Sequence, residues 1–291
     1  MKVILNAVSM GGGQNLGTTS LAYESGGITL AVVETYQRPT VLSLLAAGRM
    51  APDAGTIVLD GQPDPAILRA ITAVVDAPDV SEHVHDLTFA SVVEEELMFA
   101  SLPTGRRAAL DALAALDAAE YASWRLQNVP VVVRLRVLAE LAASRPGIRG
   151  LVLTSPDRHG GDPFEWWAVA VDLARRDLAI LVIVNQASAD VLSEVSGQFE
   201  ADRQAEIARR EAAALEAAAE SARRAAELES TVIASHSSAS SMHPTAAPTP
   251  ATAGPDTLVV SEPSNAGSLP ATGDTATRPP LAPLPDPKER A

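Results

Sequence analysis

Two stretches near the N-terminus decide the fold. Residues 20–34 read SLAYESGGITLAVVE, and residues 41–61 read VLSLLAAGRMAPDAGTIVLDG. The first contains two short apolar runs separated by two glycines, a pattern typical of two strands with a turn between them. The second begins with an apolar helical pattern and continues into a strand that ends at an Asp-Gly turn. The predicted order is therefore strand, strand, helix, strand.

Strands and helices continue to alternate outside these stretches. Further strands are predicted at residues 2–10 (as an edge strand), 71–75, 151–154 and 179–184, and helices at residues 65–70 and 163–175. Residues 179–184 are wholly apolar, as expected of a strand buried on both faces of a parallel sheet. The alternation predicts an α/β fold in which helices flank a mainly parallel sheet.

Three regions follow from composition. Residues 1–193 are predicted to form one α/β domain, with a helical insertion at about residues 87–143. Residues 194–230 are rich in Ala, Glu and Arg and predict a long solvated helix. Residues 231–291 are rich in Pro, Ser and Thr, so they bury too little apolar surface to offset the entropy of folding, and a disordered tail is expected.

Charge and composition exclude several functions. The chain carries a net charge of −14, and residues 1–193 hold 22 acidic and 14 basic side chains. Because no basic face is available for a phosphate backbone, nucleic acid is not an expected partner. The absence of cysteine excludes disulfides and thiolate metal sites. No signal peptide and no apolar run of about 20 residues is present, so a cytoplasmic protein is expected.

The order and spacing of the segments at residues 20–34 and 41–61 resemble the N-terminal half of the ATP-binding subunit of ABC transporters, which belongs to the P-loop NTPase superfamily. In that family a helix ends in a Leu-Leu-Ala-Gly-like phrase, and a Pro-x-x-Gly turn leads to a strand ending in Asp-Gly. Here these phrases are residues 44–48, 52–55 and 60–61. The resemblance covers about residues 1–193 and implies an ABC-type P-loop NTPase fold.

The resemblance also implies where the phosphate loop, G-x-x-x-x-G-K-[ST], should lie. The eight positions are Val33, Glu34, Thr35, Tyr36, Gln37, Arg38, Pro39 and Thr40. Both glycines are replaced, and Pro39, which has no N–H group and no charge, stands in place of the lysine. Arg38 and Thr40 are the residues that remain candidates for contact with an anion, although a solvated Arg38 is the simpler interpretation. Lys2 and Lys288 are the only lysines of the chain, a bias that we attribute to the genome of a GC-rich bacterium.

The other motifs of the family are altered as well. The strand that should end in Asp-Glu, for Mg²⁺ and for activation of water, ends here in Thr154-Ser155. Asn185-Gln186 follows the last strand where the family has its switch histidine, which leaves Gln186 able to hydrogen bond but not to exchange a proton. Residues 76–78 replace the expected glutamine, and the signature region near residues 126–130 lacks both glycines. These changes predict that the Walker motifs are not functional.

Two histidines of the loop at residues 76–86 are candidate metal ligands. His83 and His85 could lie on one side of an extended segment, but no third ligand lies nearby in sequence, and polar surface residues are the simpler interpretation. We therefore assign no metal ligand and no catalytic residue from the sequence.

The sequence predicts a catalytically degenerate, ABC-type accessory or regulatory subunit, without a cofactor, that docks on a membrane permease-like partner. Such a chain would lie at the inner face of the plasma membrane and would pair with itself or with an intact ABC ATPase. One alternative is an atypical ATPase that binds ATP and Mg²⁺ through Arg38 and Thr40. Another is a free-standing cytoplasmic interaction protein.

Overall fold

The computed structural model describes residues 1–34 and 38–239, and the side chains within these ranges as far as residue 225. The chain divides into a compact unit, Met1–Leu228, and a second unit, Glu229–Ala291. From residue 240 onward, the predicted disordered tail lies outside the described residues.

The described residues alternate between strands and helices as predicted. The strands are β1 Lys2–Met10, β2 Leu16–Glu24, β3 Ile28–Val32, β4 Ala54–Leu59, β5 Thr72–Val75, β6 Gly150–Thr154 and β7 Ala179–Val184. The helices are α1 Arg38–Ala46, α2 Pro65–Ile71, α3 Phe89–Phe99, α4 Arg106–Ala115, α5 Val131–Ala143, α6 Pro163–Ala174 and α7 Gln186–Ala239.

Three strands form an antiparallel sheet in the order β2-β1-β4. Ile4 of β1 lies opposite Ala22 on one side and Val58 on the other. The first strand is therefore central, and the prediction of an edge strand was wrong. The alternation of side chains along a strand reports which face is buried and carries no information on how many neighbours the strand has.

The other four strands form a parallel sheet in the order β3-β7-β6-β5. Every residue of β6 and β7 is buried, because helices cover one face of the sheet and α1 with the antiparallel sheet covers the other. The predicted fold class, α/β with a parallel sheet flanked by helices and a long C-terminal helix, is confirmed.

Apolar packing on the two faces of the parallel sheet holds the layers together. On one face, Leu42 and Leu45 of α1 pack with the antiparallel sheet. On the other face lie α3, α5 and α6, with Trp166 almost fully buried. The phenol of Tyr23 donates a hydrogen bond of 2.8 Å to the carbonyl oxygen of Ala46, which fixes the end of α1 against β2.

The long helix begins eight residues earlier than its composition indicated. Asn185 caps α7 by accepting a hydrogen bond of 2.8 Å from the backbone N–H of Ser188, a favoured use of asparagine. Leu192 is fully buried, so the first turns of α7 are part of the packed unit. Arg203 then pairs with Glu24 at the end of β2 (2.8 Å), whereas the side chains from Ile207 to residue 225 are exposed.

No helix among the described residues is long and apolar enough to cross a membrane.

Candidate functional site

The carboxyl ends of the four parallel strands meet at one edge of the sheet, where open α/β folds bind their ligands. The polar residues that follow these strands are Glu34, Asp76, Ser155 and Asn185. Asp76 and Ser155 adopt left-handed backbone conformations, with φ of 55° and 47°. Since such conformations are uncommon for residues other than glycine, tertiary contacts must hold this edge in place.

The predicted phosphate loop meets this edge at the start of α1. Thr35, Tyr36 and Gln37 lie outside the described residues. Arg38 is the first residue of α1, and its guanidinium donates a hydrogen bond of 3.2 Å to the carbonyl oxygen of Gln14. Pro39 is buried in the first turn, where its missing N–H leaves no helical hydrogen bond unmade. Proline is thus well suited to begin this helix, but it supplies no ammonium group.

Thr154 stands at the first of the two positions where the family has acidic residues, and it forms a neutral contact in the core. The hydroxyl groups of Thr154 and Ser43 lie 2.7 Å apart and are both buried. Ser43 also donates a hydrogen bond of 2.8 Å to the carbonyl oxygen of Pro39. The end of β6 is therefore joined to α1 without a formal charge.

Two carboxylates hold the start of α7. Glu34 accepts a hydrogen bond of 2.6 Å from the backbone N–H of Gln186, and Asp157 accepts one of 2.7 Å from that of Asn185. The side chain of Gln186 turns away and donates to Asp190 along the helix. N–H groups at a helix start can bind an anion, but here the two carboxylates already occupy them.

A small cavity of about 140 Å³ lies between these groups. Its described lining includes Pro39, Ser155 and three charged residues, Glu34, Asp157 and Arg158. Ligand pockets usually measure about 300–1,000 Å³. The volume of the cavity is below this range, and its described lining has two carboxylates against one guanidinium.

A buried ionic network next to this cavity was not predicted from the sequence. One Asp76 oxygen lies 2.7 Å from the guanidinium of Arg134, and the other lies 2.8 Å from Nε2 of His159. Arg158 lies 3.3 Å from the same carboxylate and 3.0 Å from that of Glu82, and it also donates to the carbonyl oxygen of Thr154. The network joins the ends of β5 and β6 to α5.

Asp76 is charged in spite of its burial. Burial alone would raise the pKa of this carboxyl, but the hydrogen bond from His159 and the positive charges of Arg134 and Arg158 outweigh burial and hold the pKa below its ordinary value. The same contacts limit what Arg158 can bind at this edge of the sheet. Arg158 is committed to carboxylates and carbonyl oxygens of the protein, so it is not free to neutralise a phosphate.

The network contains three side chains of metal-ligand type. One ligand atom each of Asp76, Glu82 and His159 lies within 4.8 Å of the others. Both carboxylates already pair with guanidinium groups, however, and the positive charge of Arg134 and Arg158 opposes a cation at this position. We do not assign a metal site here.

The two loop histidines differ in their burial and in their partners. The side chain of His83 is only 8% exposed, and its Nε2 lies 3.3 Å from the carboxylate of Glu96, so the interpretation of His83 as a surface residue was wrong. His85 is half exposed and lies 3.1 Å from Glu82. The pairing of His83 with Glu96 was not predictable from the sequence, because it depends on how the loop folds back onto α3.

One signal in the sequence does point to the network. Arg134 is spaced four residues from Leu138 and seven from Leu141, both buried, which places it on the buried face of α5. A buried arginine requires a carboxylate partner, and Asp76 is the acidic residue at the end of the buried strand β5. This reasoning would have predicted the pair.

Comparison with known proteins gives similarity in structure only. Neither a protein-family model nor a curated protein matches the sequence. A Pyrococcus furiosus protein described as an ATP-binding protein of an ABC transporter is 11% identical, over 64% of this chain and 92% of that one, with a TM-score of 0.46. A Clostridium perfringens protein described as part of the ABC transporter complex cbiONQ is 15% identical, over 63% and 77%, with a TM-score of 0.46. A nucleotide-free ATP-binding cassette from an ABC transporter is 12% identical, over 67% and 85%, with a TM-score of 0.48.

Proposed function

We propose that this chain is an ABC-type subunit that does not hydrolyse ATP and acts as an accessory or regulatory part of a membrane transport complex. The single observation that carries the proposal is the burial of Pro39 in the first turn of α1, where the family-like phrases place the phosphate-binding lysine. Phosphoryl transfer depends almost entirely on positioned cations and hydrogen-bond donors. A proline ring supplies neither.

The surroundings of Pro39 support the same proposal. A magnesium site would need a carboxylate near Thr40. The position where the family has that carboxylate is Thr154 in this chain, and its hydroxyl forms a neutral contact with Ser43. The Thr40 hydroxyl itself lies 3.4 Å from the carbonyl oxygen of Pro78 and has no described carboxylate partner. Glu34 and Asp157 are the acidic groups of the cavity, and both are bonded to backbone N–H groups.

The test is to measure Mg²⁺-dependent ATP hydrolysis and equilibrium ATP binding with the purified full chain. We expect turnover no faster than a blank, and no change when Thr40 is replaced by alanine. Arg38→Gln serves as a second variant, because Arg38 is the one cation at the start of α1. Robust turnover that Thr40→Ala abolishes would contradict the proposal and favour the atypical ATPase.

The membrane partner is tested separately. We expect the full chain to sediment with membranes from its own cells and to be released when a permease-like partner is deleted. A chain that stays in the supernatant in both cases favours the free-standing interaction protein. For that alternative, the exposed part of α7 beyond Ile207 would be the natural surface for a partner.

A further inference from the structure

A groove of about 450 Å³ runs along the outer edge of β3. β3 is the first strand of the parallel sheet and pairs with β7 on its inner side. The groove lies on the outer side, between Ala22 of β2 and the face of α7 that carries Ser196 and Gly197. We call it the β3 groove, and it is separate from the cavity at the carboxyl edge of the sheet.

The backbone of β3 offers hydrogen-bonding groups to this groove. The carbonyl oxygen of Gly27 and the N–H of Val33 both bond to β7, at 3.1 and 2.9 Å. Because the backbone groups of successive residues in a strand point to opposite sides, those of Ile28 and Leu30 point away from β7. Among residues 1–34 and 38–239, no backbone group pairs with them. Such an edge is a template for one more strand.

The charged residues of the groove neutralise one another. Glu24 lies 3.0 Å from Lys2 and 2.8 Å from Arg203. Arg203 also lies 2.8 Å from Glu200. These two acids and two bases are all the charged residues in the described lining of the groove. The groove therefore has no net charge, and an uncharged occupant fits it better than an ion.

The helix on the other side of the groove leaves the edge of β3 accessible. The residues of α7 that line the groove beside the strand include Ser193, Ser196 and Gly197, all of them small. A Cβ atom added to Gly197 would have no other heavy atom within 4 Å. The side chains of Ile28 and Leu30 are partly buried against the core, so an added strand would extend an apolar surface that already exists.

The C-terminal part of the chain contains one segment with the pattern of a short strand. Residues 240–291 lie outside the described residues, and three consecutive large aliphatic residues occur there at one place, 258–260. The surrounding sequence at residues 257–261 reads TLVVS and carries no charge, and Pro255 and Pro263 bound it. Aliphatic, largely β-branched residues between prolines predict a strand, here as long as the five residues of β3.

The length of the chain decides which molecule supplies this segment. α7 ends at Ala239, so the part of the helix after Ser196 is about 65 Å long at about 1.5 Å per residue. The 17 residues from 240 to 256 span at most about 60 Å when fully extended. They are too short to lead the segment back to the groove of the same chain, whereas a second copy has no such limit.

We propose that residues 257–261 of a second copy bind in the β3 groove as an added strand and pair with the backbone groups of Ile28 and Leu30. The first copy supplies the same segment to the second, which gives a closed dimer. Strand addition obtains its affinity from main-chain hydrogen bonds and its specificity from alternate side chains. The proposal does not rest on the proposed function, because it uses neither the phosphate-loop positions nor a membrane partner.

The absence of cysteine from the chain makes disulfide trapping a clean test. Three double variants of the full chain combine Ser196→Cys with Leu258→Cys, Val259→Cys or Val260→Cys, and each is oxidised. We expect a covalent dimer on a non-reducing gel and a linked peptide that joins the groove to the segment. Because side chains alternate between the two faces of a strand, positions 258 and 260 should behave alike and differ from position 259 by about tenfold in yield.

The control for trapping replaces Ser196→Cys by Ala201→Cys, because Ala201 is exposed on α7 outside the groove. We expect little linked peptide from it. The proposal is overturned if the three positions of the segment give equal yields, if Ala201→Cys links as well as Ser196→Cys, or if the disulfide forms within one chain.

Filling the groove gives an independent measurement. Gly197→Leu places a side chain in the space beside β3, and Ala201→Leu is the matched control outside the groove. Both variants should fold, because leucine is a good helix former and glycine a poor one. We expect the dissociation constant of the dimer, measured by sedimentation equilibrium of the full chain, to rise about tenfold or more in Gly197→Leu and to stay unchanged in Ala201→Leu.

Proline in the segment tests the main-chain pairing. One of two adjacent N–H groups in the added strand faces β3, so Val259→Pro and Val260→Pro together remove a donor whichever register is adopted. We expect this variant to lose the dimer to the same extent as Gly197→Leu. A chain that is monomeric at all concentrations, or a dimer that neither variant weakens, would overturn the proposal. ATP turnover by the purified chain would remove the degenerate-subunit proposal and leave this one unaffected.

Discussion

The hydroxyl groups of Thr154 and Ser43 form a buried hydrogen bond of 2.7 Å between the end of β6 and the second turn of α1. Ser43 also donates to the carbonyl oxygen of Pro39, so Thr154 is the donor and Ser43 the acceptor in this pair. A neutral chain of hydrogen bonds thus joins the parallel sheet to α1. The contact stabilises the fold and leaves no charge for a cation.

The first prediction concerns Thr154. Thr154→Val removes one buried hydrogen bond and should lower the free energy of unfolding by about 1 kcal/mol. Thr154→Asp places a carboxylate in the core without a cation and should lower it by about 3 kcal/mol or more. Urea denaturation measures both. An aspartate variant as stable as the wild type, or one that gains ATPase activity, would show that the site retains a place for Mg²⁺.

The second prediction concerns the buried network. Asp76→Ala leaves Arg134 without its carboxylate in a position where only 5% of the side chain is exposed. We expect a loss of about 3–5 kcal/mol of unfolding free energy, since an unpaired buried charge remains. The matched control is Asp86→Ala, which breaks an exposed pair with Arg125 and should change stability by less than about 1 kcal/mol. Similar losses for the two variants would mean that the network contributes no more than a surface pair.

The third prediction concerns pH. The pKa of Asp76 is lower in the folded chain than in the unfolded one, so the unfolded chain binds more protons between the two values. The stabilisation is therefore complete above the unfolded pKa, near 3.8, and is lost as the pH falls through the folded value. Glu96 acts in the same direction, because burial raises its pKa less than His83 and Arg145 lower it.

Unfolding measured in urea between pH 3 and pH 7 checks this dependence. As far as Asp76 and Glu96 determine it, the free energy of unfolding should be nearly independent of pH above about pH 5. It should decrease as the pH falls further. Asp76→Asn should reduce the slope at acid pH. An unchanged slope in that variant would assign the acid sensitivity to other carboxylates.

The fourth prediction concerns the start of α7. Replacing Glu34 by glutamine and Asp157 by asparagine removes both negative charges that face the backbone N–H groups of Asn185 and Gln186. The double variant should bind inorganic pyrophosphate about tenfold more tightly than the wild type, because the two like charges are gone. Calorimetry measures the difference, and Glu165→Gln, in the first turn of α6, controls for net charge. Equal affinities would show that the carboxylates do not exclude anions.

The element order was predictable because it depends on local pattern. The apolar run at residues 179–184 and the proline and aspartate that begin α6 are complete signals within a few residues. The position of β1 in its sheet was not predictable, since pairing on both edges leaves no mark on the strand itself. The same holds for the pairing of Asp76 with His159, which lies 83 residues away.

The site residues named from the sequence stay a prediction. The structure places Pro39, Thr154 and Ser155 at the same edge of the sheet, which does not test whether they form a nucleotide site. The contact of Glu34 with the start of α7 was not predicted, because a carboxylate that comes from a distant loop has no fixed spacing from the helix it caps. Such contacts follow from the fold and cannot be read from a motif.

The edge position of β3 has a consequence for the order in which the protein folds during synthesis. Ile28 of β3 pairs with Ile180 of β7, so the strand waits for a partner that is made about 150 residues later. At ordinary rates of translation this interval lasts about 10–30 s. During that time the apolar side chains of β3 cannot pair with β7 and stay exposed. A ribosome-associated chaperone would therefore bind the nascent chain most strongly at β3.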